Sequence, residues 1–163
     1  TTFSKFAASA GAAISSHVPE LIPLLNVSPS SIGTISLPPP VTAAALESIR
    51  QVRQHPEMVK TLQDNTRYLR SRLIENGFDP IGETNVIPVI LPEELDPKVF
   101  GRKLMTDFGI WASPIWFIAK PRMRITANAL HTRAEMDRLV EAMVEVRADM
   151  YKTAMKEPLE VSA

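Results

Sequence analysis

Apolar residues recur along the chain with two different periods. Val41, Ala44, Ala45, Ser48, Ile49 and Val52 fall on one helical face, and beyond His55-Pro56 the same spacing continues through Val59, Leu62, Thr66, Leu69 and Leu73. Pro56 divides or kinks this stretch, because a proline removes a backbone donor and crowds the preceding turn. Gly77, after Glu75-Asn76, marks a left-handed helix end. Val99, Phe100, Leu104 and Phe108 form the apolar face of a further helix, opened by Asp96-Pro97 and closed by Gly109. A longer helix carries Met136, Leu139, Val140, Met143, Val144 and Met150, and Thr132 and Glu135 form a capping box at its start.

Between these helices the period changes to two. Arg122 to Asn128 alternates, with Met123, Ile125 and Ala127 on one face and Arg122, Arg124, Thr126 and Asn128 on the other, which predicts a half-buried strand. Asn85 to Leu91 and Ile110 to Phe117 read as strands broken by prolines. Pro88 cannot donate to a ladder, so its strand is expected at an edge or bulge. The first forty residues are small, polar and punctuated, with one short helix near Val18 to Leu25. Pro38-Pro39-Pro40 places a boundary near residue 40, and a loose tail is expected from about Thr153. The order helix, strand, helix, strand, strand, helix predicts an α/β chain of the α+β type, with helices on one face of a small, mostly antiparallel sheet.

Composition narrows the function classes. Eighteen Lys and Arg balance eighteen Asp and Glu, so no global field attracts nucleic acid or acidic lipid. The chain has no cysteine, which removes disulfides, thiolate metal sites and cysteine nucleophiles and fits a reducing cytoplasm. His17, His55 and His131 lack the paired spacing of metal ligands. The apolar stretch Phe6 to Ile14 is far shorter than the roughly 20 residues a membrane span needs, and no basic segment precedes it as in a signal peptide.

Candidate chemistry is concentrated at two places. Thr1-Thr2-Phe3-Ser4-Lys5 sets hydroxyls beside one primary amine, a set suited to a phosphate-bearing carbonyl cofactor, though the same pentapeptide alone reads as a polar loop. Arg124, on the polar face of its strand, presents a guanidinium that matches a carboxylate with two parallel hydrogen bonds. The strand pattern alone favours an ordinary surface or ion-pair arginine. His131 shapes the turn into the last helix, and Trp111 and Trp116 read as core or interface residues.

Taken together, Thr2-Phe3-Ser4-Lys5, Thr34-Ile35-Ser36-Leu37-Pro38-Pro39, and Arg122-Met123-Arg124-Ile125 with Ala129-Leu130-His131-Thr132 resemble the C-terminal portion of the α-oxoamine synthases. These are fold-type I pyridoxal 5'-phosphate enzymes. The order and separation of the segments agree with that family over nearly the whole chain. The resemblance implies that residues 1–39 end a large cofactor-binding domain, residues 40–152 form the small domain and 153–163 a tail. Lys5 would bear the cofactor as a Schiff base and act in proton transfer, with Thr2 and Ser4 on its phosphate. Thr34 or Ser36 would reach the phosphate in the neighbouring subunit of a homodimer, and Arg124 would hold the amino-acid carboxylate.

The implied reaction joins an amino acid to an acyl thioester, on coenzyme A or a carrier protein, with loss of carbon dioxide. Phe6-Ala7-Ala8-Ser9-Ala10-Gly11 departs from the glycine-rich stretch that usually follows the family's lysine. The acid and the stacking aromatic residue expected around the cofactor ring have no counterpart in this sequence, so the chain alone is expected to be inactive. Two other readings are a non-catalytic partner subunit, against which retention of Lys5 argues, and another fold-type I reaction such as transamination or aldol cleavage.

Overall fold

The computed structural model describes residues 1–28, 32, 37–117 and 120–154. It divides into two compact units, Thr1–Pro56 and Glu57–Ala163. In the first, Thr1 to Ala13 closes on itself: Phe3 N donates to Gly11 O at 2.9 Å, Ala13 N to Thr1 O at 2.9 Å, and Thr2 bridges Ala12. The short helix α1 spans Leu21–Asn26 and α2 spans Pro39–Gln54, opening on prolines whose missing donors a first turn does not need. Ala45 of α2 packs with Phe3 and Ala7, and the hydroxyls of Ser9 and Ser48 donate to Val41 O and Ala7 O at 2.9 and 3.1 Å. A side chain at Gly11 would be strained and would displace that of Leu37. The φ of Gly11 is +92°, and a Cβ would lie 2.6 Å from Leu37 Cδ1.

The second unit holds the expected layers. α3 (Pro56–Glu75) starts at the proline that divides the long helical stretch, and β1 (Asp79–Pro80), β2 (Val86–Ile90), α4 (Pro97–Phe108), β3 (Ser113–Ile115), β4 (Arg122–Thr126) and α5 (Arg133–Ala154) follow. The strands form one antiparallel sheet in the order β1-β2-β4-β3. Ile87, Val89, Met123 and Ile125 on one face are buried with Leu69, Leu73, Phe100, Leu104, Val140 and Met143 from the helices. Gly101 lets α4 sit close on the sheet, since a Cβ there would lie 3.3 Å from Met123 Cε.

Both predicted helix ends have the expected form. Gly77 and Gly109 adopt φ of +72° and +66°, and the residue after each donates back into its helix, Phe78 N to Leu73 O and Ile110 N to Leu104 O, both at 3.0 Å. The capping box is complete, with Glu135 N on Thr132 Oγ1 at 3.2 Å and Thr132 N on Glu135 Oε2 at 2.8 Å. Two strand expectations need correction. β2 is interior rather than an edge, because Pro88 directs its carbonyl, and so its missing donor, toward β1, which is only two residues long; Ile81 N donates to Pro88 O at 2.8 Å. β3 is shorter than Ile110 to Phe117, because Ile110 is engaged in closing α4. α5 runs through Thr153 to Ala154, and the rest of the expected tail lies outside the described residues.

Candidate functional site

The first candidate group is the closed loop of the first unit. Phe3 and Ala7 are drawn into the small core, which leaves Thr2, Ser4 and Lys5 exposed on the other side. Lys5 Nζ donates to Ser4 Oγ at 3.1 Å. The amine of Lys5 and the hydroxyl of Ser4 thus stand side by side, with Thr2 in the same loop, and such a set fits a cofactor that joins an aldehyde to a phosphate. Ala8 closes the turn with φ of +44°, a conformation that side chains other than glycine's rarely adopt. Alanine stands at this strained position within the segment where the resembled family is glycine-rich. Thr34 and Ser36 lie outside the described residues.

The second group lies in the second unit. The alternation of β4 buries Met123 and Ile125 and exposes Arg124 and Thr126 on the opposite face. Register places Arg124 between Pro88 of β2 and Ser113 of β3. Its guanidinium has no ion-pair partner among the described residues. Arg124 lines a cavity of about 560 Å³ together with Trp111, Ser113, Thr126, His131 and Glu135. Arg138 and Glu135 also line the cavity, the Glu135 carboxylate being engaged by Thr132, and the unpaired guanidinium of Arg124 matches a carboxylate best.

His131, the last residue of the turn Asn128 to His131 between β4 and α5, lines this cavity. Leu130 N donates to Asn128 Oδ1 at 3.0 Å, and Asn128 N donates to His131 Nδ1 at 3.3 Å. His131 thus has the turn-shaping role expected of it. The capping hydrogen bonds from the Thr132 backbone and hydroxyl hold the Glu135 carboxyl below its usual value. Glu135 therefore stays ionised in the cap. Pattern reading missed Asn65, a buried side chain of α3 that donates to the Asn128 and His131 carbonyls at 3.0 and 2.9 Å. A polar residue next to the apolar stripe of a helix was the only available signal.

Known proteins place these groups in context. A family model described as aminotransferase class I and II matches residues 1–143. The 8-amino-7-oxononanoate synthase of Symbiobacterium thermophilum is 35% identical over 120 residues, covering 71% of this chain and 30% of that protein. The 5-aminolevulinate synthase of Rhizobium meliloti is 33% identical over 117 residues, covering 69% of this chain and 29% of that protein. A serine palmitoyltransferase from S. paucimobilis, solved with PLP and myriocin bound, superposes with a TM-score of 0.81 at 25% identity, over 93% of this chain and 39% of that one. The chain thus spans about 30% of the length of the curated relatives it matches. With most of its residues matched by that model, the chain belongs to the aminotransferase class I and II family, among the α-oxoamine synthases that its three motifs resemble.

Proposed function

We propose that this chain supplies the cofactor lysine and the substrate-binding arginine of a pyridoxal 5'-phosphate enzyme that condenses an amino acid with an acyl thioester. Lys5 bonds the cofactor through Nζ, and Thr2 and Ser4 donate to its phosphate. Arg124 clamps the amino-acid carboxylate. When bound, the cofactor supplies the electron sink for charge on the substrate α-carbon. Lys5 Nζ takes the α-proton, the α-carbon forms a bond to the acyl carbonyl carbon as the thiolate leaves, the carboxyl carbon departs as carbon dioxide, and a proton returns to the α-carbon. An α-amino ketone remains.

The observation that carries this reading is the placement of Arg124, unpaired among the described residues and on the open face of β4 in a cavity with other polar groups. Similarity to two synthases of α-amino ketones supports the reaction class. In the same reading residues 1–39 end a large cofactor-binding domain, residues 40–152 form the small domain, and the enzyme is a cytoplasmic homodimer in which Thr34 or Ser36 reaches the neighbouring subunit's phosphate. Among the described residues no helix is long and apolar enough to cross a membrane. The acyl group arrives on coenzyme A or on a carrier protein. The direct test is carbon dioxide release from a carboxyl-labelled amino acid by the full-length protein, supplied in turn with acyl-CoA and acyl-carrier protein. Release that depends on the thioester supports the condensation. Transamination or aldol cleavage without thioester-dependent release contradicts it.

A further inference from the structure

We propose that His131 is a second anion-binding donor in the cavity of Arg124, and that Asn65 is the positioning residue that holds it there. This rests on the reading of Arg124 as the carboxylate clamp. His131 and Arg124 line the same cavity from different elements, the imidazole from the turn before α5 and the guanidinium from β4. His131 Nδ1 accepts the Asn128 N–H at 3.3 Å, which leaves the proton of the neutral ring on Nε2. That nitrogen is a donor, as a carboxylate requires.

Three hydrogen bonds tie the turn that carries His131 to itself, all of them between Asn128 and Leu130 or His131. His131 N donates to Asn128 O at 3.2 Å, and among the described residues no backbone N–H outside the helices and strands donates to the carbonyls of Ala129, Leu130 or His131. Asn65 fills this need from α3. It is 6% exposed, and its amide nitrogen lies 3.0 Å from Asn128 O, 2.9 Å from His131 O and 3.5 Å from Ala129 O. Three acceptors converge on one amide group that carries two hydrogens. Aspartate, of nearly the same shape, would set a carboxylate against three carbonyl oxygens. Asn85 secures the strand end just before the turn, with Nδ2 on Ala127 O at 3.2 Å and Ala127 N on Asn85 O at 2.8 Å. The place of His131 relative to β4 therefore depends on Asn65.

A double-mutant cycle in the full-length, cofactor-loaded protein tests this, with amino-acid KM, kcat and thermal midpoint measured for each variant. H131A is expected to raise amino-acid KM about tenfold with kcat within about twofold, as for loss of one donor to a charged group. N65A is expected to raise KM similarly and also lower the thermal midpoint. In the H131A background, N65A should still lower the midpoint but leave KM unchanged, because its effect on binding passes through His131. Asn65→Ser, which keeps one donor, provides the same comparison should N65A fail to fold. An unchanged KM in H131A overturns the proposal, as does a KM effect of N65A or Asn65→Ser that persists in full without His131. Arg124→Ala separates the two readings. If it leaves amino-acid KM unaltered, the carboxylate clamp itself is wrong, whereas a raised KM there with no effect at His131 removes only the present inference.

Discussion

Asp137 shows how a single side chain ties two helices of the second unit. Its carboxylate accepts from Tyr68 Oη at 2.7 and 2.8 Å and from Arg72 Nε at 2.8 Å, while Arg133 stacks on the Tyr68 ring at 4.1 Å. The tyrosine hydrogen bond and then the arginine hold Asp137 below its ordinary 3.8. A carboxyl lowered in the folded state stabilises fully above its unfolded value, and that contribution is lost as pH falls through the lower folded value. Asp137→Asn should therefore lower the melting temperature at neutral pH, and its deficit against the parent should shrink below about pH 4. Acid titration of both melting temperatures checks this.

Ala8 offers a second residue-scale outcome. Glycine at a positive φ avoids a clash worth roughly 1–2 kcal/mol, so Ala8→Gly should raise stability by about 1 kcal/mol, read by denaturant unfolding of the full-length protein. At this scale Arg124 was legible, because strict alternation along β4 fixes which side chains face away from the core. The Asp137 network was not, because Tyr68 and Arg72 lie far from it in sequence and no local period reports such a meeting.

The helices formed where caps and apolar spacing coincide. Asp96, Pro97 and Gly109 bracket α4, with Lys98 N on Asp96 Oδ1 at 2.7 Å, and the Thr132–Glu135 box starts α5. Thr132→Ala removes one half of that box and should cost about 1 kcal/mol, measured by chemical denaturation. The strands were less legible. Pro88 marks a gap in a ladder, but which neighbour faces the gap depends on register, and register is set by pairing with distant β4. The ends of β3 were likewise overestimated, because Ile110 is apolar enough to extend a strand yet serves as the closing residue of α4.

At the level of the whole molecule the two units differ in what they bury. Among the described residues the first unit encloses Phe3, Ala7 and Ala45, while Ile14, Leu24 and Val27 remain exposed at 65% each. The second has a continuous core through β2, β4 and three helices. A peptide of residues 57–154 should unfold cooperatively by itself, whereas residues 1–56 should show no cooperative transition, since so small a core cannot offset chain entropy. Far-UV circular dichroism melts of the two pieces separate these outcomes. The family was legible at this scale because three short motifs keep their order and separation. Thr34 and Ser36 lie outside the described residues, and no pattern in the sequence reports which amino acid or acyl chain the proposed reaction would take.

We propose that Lys5 carries the cofactor. Borohydride reduction of the full-length protein loaded with pyridoxal 5'-phosphate, followed by peptide mapping, tests it most directly. The cofactor mass should appear on the peptide containing Lys5, and Lys5→Ala should abolish both this adduct and the visible absorbance of the loaded protein. An adduct on another lysine, with absorbance unchanged in Lys5→Ala, would contradict it.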